Sequence, residues 1–126
     1  MPLSKAQPVV FLFTRDRARA RAFYTEVLGL PHTASDDHAE CFDLAGTPLR
    51  IVPIADHVAS PHTVLGWEVA DIDATVAELV ARGVTFERYE GFGQDAAGIW
   101  SSPDGGTRIA WFLDPDGNNL SVSRHG

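Results

Sequence analysis

With 126 residues, 44% of them hydrophobic and 21% charged, the chain suits one ordinary domain with a real core, and neither disorder nor two independent domains is expected. A formal charge of −7 argues against a nucleic-acid partner, which needs clustered Lys and Arg, and mildly favours cationic or neutral small molecules. No apolar run approaches the roughly 18 residues of a membrane span, no signal peptide is read before Val9, and the single cysteine, Cys41, excludes an internal disulfide; a cytoplasmic protein without membrane contact is expected.

Val9-Val10-Phe11-Leu12-Phe13 is a β-prone run bounded by Pro8 and by the helix-capping residues Thr14 and Asp16. A helix is predicted from about Arg17 to Leu28, with Ala20, Phe23 and Val27 on one side and Gly29 as its stop. Strands follow at Glu40 to Leu44 and Pro48 to Ile54, connected through Ala45-Gly46-Thr47, with a weaker strand near His32 to Ser35. Pro53 to Pro61 carries few apolar side chains and reads as a link between halves.

Beyond the link the order repeats. Val64 to Val69 is a strand, and Asp71 caps a helix whose Ile72, Val76, Leu79 and Val80 follow the helical period up to Gly83. Val84 to Tyr89 reads as a further strand. Gly91-Phe92-Gly93-Gln94-Asp95 is a glycine-rich loop that could close over a ligand, although such loops are more often simple turns. Ile99-Trp100-Ser101 is a short candidate strand before the Pro103-Asp104-Gly105-Gly106 turn. Asp114-Pro115-Asp116-Gly117-Asn118 is a hairpin turn: Pro115 fixes φ, Gly117 supplies a positive φ, and Asp and Asn side chains bond their own backbone. Leu120 and Val122 then share one face, with Ser121 and Ser123 on the other. The faces of Trp100 and Trp111 depend on the length of this loop, and core packing is the default for both.

Aligning the strand-to-helix units sets Val9 with Val64, Phe13 with Glu68 and Asp16 with Asp71 at one constant offset. The expected architecture is α+β: residues 1–126 form a single pseudo-symmetric domain of two βαβββ halves, 8–54 and 62–124. The halves build a cup-shaped mixed β-sheet with flanking helices, since a lone unit would leave one sheet face and its edges exposed.

Three segments carry a family resemblance: Phe23-Tyr24 through Leu28-Gly29-Leu30, Asp71-Ile72-Asp73 to Gly83-Val84, and Asp114-Pro115-Asp116-Gly117-Asn118. In order and spacing they resemble the vicinal-oxygen-chelate superfamily, which holds glyoxalases, extradiol dioxygenases and bleomycin-resistance proteins. The resemblance implies metal ligands at four cup-facing positions, which fall here on Val9, Arg50, Val64 and Ser121. None is a customary ligand, because valine has no lone pair and arginine has the wrong charge. No metal and no cofactor are therefore expected. Among the histidines, His32, His38, His57, His62 and His125 lack helical ligand spacing; His62, in strand parity with Val64, is the one that could line the cup.

Strand parity directs Phe11, Phe13, Val64, Glu68 and Ser121 into the cup together with Arg50, an apolar and aromatic wall with a few polar groups suited to small-molecule binding. Arg50 and Glu68 are expected either to meet as an ion pair or rim charges, or to hold a ligand's anionic group with Glu68 as acceptor or base. Cys41 alternates against Phe42 and Leu44 and is expected opposite the core, inert, for want of a base partner. The function expected is metal-independent small-molecule binding of the sequestration or resistance type. The ligand is expected to be cationic or aromatic, and the resemblance adds a homodimer. The alternatives are a glyoxalase-like lyase or dioxygenase, a metal-free isomerase using Glu68 or His62 as base, and a protein-interaction module; the identity of the ligand and any catalysis stay open.

Overall fold

The computed structural model describes residues 2–126. It divides into two compact units, Met1–Val58 and Ala59–Gly126, each built around one four-stranded mixed sheet.

In the first unit, β1 (Val10–Thr14) leads to helix α1 (Arg17–Ala22), then to β2 (His32–Ser35), β3 (Glu40–Leu44) and β4 (Thr47–Pro53), in the spatial order β1-β4-β3-β2. The Asp16 side chain caps α1 by accepting from the Arg19 backbone N–H. The helix does not run regularly to Leu28. It opens into a π-helical turn, Phe23–Val27, in which the Leu28 N–H donates to the Phe23 carbonyl, five residues back. The wider turn rotates the helix face, so Tyr24 is wholly buried while Phe23 is only half-buried, the reverse of simple helical periodicity. Tyr24 packs against Phe42, and Leu12, Leu49 and Ile51 complete the core beneath α1.

The second unit repeats the plan with β5 (Thr63–Glu68), α2 (Ile72–Ala81), β6 (Trp100–Ser101), β7 (Thr107–Leu113) and β8 (Asn119–His125), ordered β5-β8-β7-β6. Asp71 caps α2 through the Ala74 N–H, and Gly83 ends it at φ +99°. Ile72 and Val76 seal the core, whereas Val80, in period with them, is exposed. The strand expected at Val84 to Tyr89 reduces to one bridge, Phe86 to Phe112. The backbone there leaves the sheet because Gln94 and Arg88 bind this segment to the 94–98 loop instead.

The terminal turn behaves as its residues dictate. The Asp114 carboxylate accepts from the backbone N–H groups of Asp116 and Asn118, each at 2.9 Å, and from the Asn118 side chain at 2.8 Å. Gly117 takes φ +84°. The turn pairs Leu113 with Asn119 and hence Phe112 with Leu120 and Trp111 with Ser121. Ala110, Phe112, Leu120 and Val122 therefore face the core, with the Phe86 and Phe112 rings edge-on at 5.5 Å. Phe112→Ala is expected to cost about 3–5 kcal/mol of unfolding free energy, read from urea denaturation; a loss below about 1 kcal/mol would deny Phe112 its place at the centre of this core.

Candidate functional site

Each sheet has one face sealed by its helix and one face turned away from it. On the first sheet, register lines up Phe11, Arg50 and Cys41 in one row and Phe13 with Val52 in the next, all away from the helix. Phe11 is 54% exposed, and Phe13 stacks obliquely on His57 at 5.8 Å. Three residues predicted to share a face, Phe11, Phe13 and Arg50, do share it, and Cys41 lies opposite the core-facing Phe42 as its alternation implies.

Arg50 is committed within its own unit. Its guanidinium donates to Asp36 Oδ2 at 3.0 Å and to Cys41 Sγ at 3.3 Å. The backbone N–H groups of His38 and Ala39, followed by Arg50, bring the Asp36 carboxyl down to about 2. Glu68 is likewise held within the second unit, by the backbone N–H and ring of His125 and by Arg124 at 3.8 Å. The His125 backbone N–H is the largest of the influences that keep its carboxyl below the ordinary range. Each of the two is thus ion-paired within its own unit, and the Glu68 side chain stands half exposed.

The helix side of the first sheet carries a charged cluster that sequence reading did not single out. Glu40 is buried and accepts from Arg17 Nε at 2.9 Å, from His32 Nε2 at 3.0 Å and from the Ser35 hydroxyl at 2.5 Å. Arg17 also donates to the carbonyls of Asp36 and Ala39, tying α1 to the β2–β3 connection. Burial pushes the Glu40 carboxyl up, but the bonds from Ser35, Arg17 and His32 outweigh it and hold the group below its ordinary value of 4.5. Its stabilisation is complete above that value and is lost as pH falls through the lowered native one. Glu40→Gln is expected to lose about 1–3 kcal/mol at pH 7 and to flatten the decline in stability below pH 4.5, measured by urea unfolding across pH. An unchanged acid slope would remove Glu40 from the acid response.

The second sheet holds the more elaborate surface. Gly66, Ser121 and Trp111 form one row away from α2, and Glu68, Ser123, Ile109 and Trp100 the next. The hairpin register thus sends both tryptophans to this face rather than to the core. A Cβ at Gly66 would stand 2.5 Å from Ser121 Oγ, so the glycine leaves a notch that the hydroxyl occupies. Ser121 is 9% exposed.

At the first turn of β5 a bulge sets Thr63 against Asn119 and Leu65 against Leu120. The extra residue leaves Val64 out of step with Gly66 and Glu68, and Thr63 takes the place on this face that alternation had assigned to Val64 and His62. Beside the bulge lies a pocket of about 290 Å³ lined by Pro61, His62, Thr63, Tyr89, Phe92, Trp111 and Asn119. Three rings converge there: Tyr89 to Phe92 at 5.5 Å, Tyr89 to Trp111 at 5.5 Å and Phe92 to Trp111 at 5.7 Å, the last two edge-on. The Thr63 hydroxyl donates to Asn119 Oδ1 at 2.9 Å, and Asn119 Nδ2 donates to the Tyr89 hydroxyl at 2.8 Å.

The 89–98 loop is braced rather than free. Gln94 accepts from the Tyr89 N–H at 2.7 Å and donates to the carbonyls of Glu87 and Gly98, and Asp95 accepts from the Ala97 and Ile99 N–H groups. Phe92 is thereby held as a fixed wall. Of the residues lining this pocket, sequence reading had marked His62 by strand parity and Phe92 by its loop; Tyr89 it had placed in a strand. The hairpin register would have fixed Trp111, but only with the turn length in hand.

Among the described residues, no three His, Cys, Asp or Glu side chains gather as a metal-holding group. A sequence model of the Glyoxalase/Bleomycin resistance protein/Dioxygenase superfamily matches residues 6–122. The chain belongs to this superfamily. A search of curated proteins finds no match. Among solved structures, the genomically encoded fosfomycin resistance protein FosX from Listeria monocytogenes aligns at 14% identity and a TM-score of 0.76, over 98% of this chain and 96% of its own. A glyoxalase/bleomycin resistance protein/dioxygenase from Alicyclobacillus acidocaldarius aligns at 18% and 0.73, over 99% and 95%. Lactoylglutathione lyase from Agrobacterium tumefaciens aligns at 20% and 0.71, over 95% and 93%. At these identities the likeness is one of fold, and a superfamily fold hosts many chemistries.

Proposed function

We propose that this superfamily member is a metal-independent small-molecule binder of the sequestration or resistance type, taking a planar aromatic or amphipathic ligand against Tyr89, Phe92 and Trp111. The observation that carries this reading is the pocket in which Trp111 stands edge-on to Tyr89 and Phe92 beside a short polar chain, apolar surface for affinity and a few fixed polar atoms for orientation. The charge of −7 favours a cationic ligand, whose charge an aromatic face also attracts. The superfamily implies a metal, but the donor set does not fit one. On the family register the ligand positions hold Val9, Val64, an Arg50 already paired with Asp36, and the neutral Ser121 hydroxyl. Residues 8–54 and 62–124 are taken as the halves of one pseudo-symmetric domain, and the working form as a homodimer.

A titration with acridine orange, a planar heteroaromatic cation, tests the reading. Binding is expected in the presence of a chelator with unchanged affinity, and Trp111→Ala and Phe92→Ala are each expected to weaken it about tenfold, near 1.4 kcal/mol. Sedimentation of the same samples should give the mass of two chains. Binding abolished by chelation and restored by added Ni, Zn, Mn or Fe(II) would favour the lyase or dioxygenase alternative instead.

A second reading, a metal-free isomerase, is favoured by His62, which lines the pocket with an imidazole that can take up a proton. Glu68 is the poorer candidate, since its bonds from His125 hold it in the ionised, weakly basic state. An isomerase would exchange a C–H proton of a carbonyl ligand with deuterated solvent, and His62→Ala would stop it; a bound ligand that exchanges nothing leaves the binder.

A further inference from the structure

We propose that Tyr89 is the specificity-determining group of this pocket: its hydroxyl donates a hydrogen bond to an acceptor oxygen on the ligand, so that the preferred ligands are aromatic carbonyl compounds rather than aromatic hydrocarbons. The proposal rests on the binding site inferred above and assigns the chemistry at its polar end.

The Thr63 hydroxyl gives its proton to Asn119 Oδ1, and the amide nitrogen is the end turned to Tyr89. Asn119 Nδ2 then gives a proton to the Tyr89 oxygen. The phenol is therefore an acceptor within the protein, and its own proton has no acceptor among the described residues. A phenol carries one donor, and the ring is half-buried in a pocket whose other walls are Phe92, Trp111, Pro61 and His62. An incoming oxygen is the partner that completes it. Accepting from Asn119 polarises the O–H and strengthens what it donates, as in any hydrogen-bonded chain.

Two further restraints keep the hydroxyl in place. Asn119 is 4% exposed at the start of β8, so its amide is held by packing as well as by Thr63. The Tyr89 backbone N–H is anchored to Gln94 at 2.7 Å, and the Tyr89 ring lies edge-on to Trp111. A donor fixed before the ligand arrives loses little freedom on binding, and a site built around one discriminates against ligands that lack the acceptor, because the group would then be left unpaired. Thr63 and Asn119 act through Tyr89 and are positioning residues.

The test compares 2-acetylnaphthalene with 2-ethylnaphthalene, two probes of nearly equal shape that differ in the carbonyl. Affinities are read by calorimetry, and the carbonyl stretch of the bound ketone by infrared difference spectroscopy. The wild-type protein is expected to prefer the ketone about tenfold and to shift its stretch to lower frequency. Tyr89→Phe should bind both probes equally and return the stretch to its unbonded position. Thr63→Val, which leaves the phenol in place and frees the amide, should reduce the preference and the shift part-way. A preference and shift retained in Tyr89→Phe overturn the assignment and leave the site standing. Equal binding of both probes by the wild-type protein does the same. Binding of neither probe overturns the site and the assignment together.

Discussion

The Asp114 carboxylate accepts from the backbone of Asp116 and Asn118 and from the Asn118 side chain, and this knot of bonds is what pairs Leu113 with Asn119. Side chains alternate along a strand, so a slip of one residue in β7 would exchange Trp111 for Phe112 and bury the indole while exposing the phenyl ring. Everything that gives the second sheet its chemistry follows from that register. It sets Trp100 and Trp111 away from the helix and lines up Gly66, Ser121 and Trp111. It also brings Asn119 to where it can reach both Thr63 and Tyr89.

The two units answer the same folding problem with different contents. Each caps its helix with an aspartate three residues before the accepted N–H and seals one sheet face with aliphatic and aromatic side chains. The first unit then places an ionised Glu40 within its helix-facing layer, where Arg17, His32 and Ser35 must surround it to offset its lost hydration. On its other face Arg50 is neutralised by Asp36. The second unit pairs Glu68 with His125 and Arg124 at the exposed end of its other face and lines the pocket there with neutral hydroxyls and an amide. Neutral groups can be left part-open to a ligand at little cost, whereas an unpaired charge in the same place could not.

Several elements were legible in the residues because their signals are local. The caps at Asp16 and Asp71, the glycine stops at Gly29 and Gly83 and the terminal turn depend on contacts within a few positions, and each stands as its residue types require. The common face of Phe11, Phe13 and Arg50 follows from period-two alternation, which holds wherever a strand is regular. Where the reading failed, a non-local partner intervened. The π-helical turn exchanges Phe23 for Tyr24 because Tyr24 finds Phe42 in β3. Val84 to Tyr89 has strand composition, yet its backbone bonds go to Gln94 and to the Trp111 carbonyl rather than into a ladder. The bulge takes Val64 out of step with Gly66 and Glu68.

The order of strands and helices, the pseudo-repeat and membership of the superfamily were determined by the sequence, since propensity, capping and turn chemistry act between neighbours in the chain. The tertiary structure decided which side chains converge. Tyr89, Phe92, Trp111 and Asn119 come from a braced loop and two strands. They meet only because a hairpin register, a bulge and a Gln94 brace bring distant segments to one place, and no local pattern encodes such a meeting.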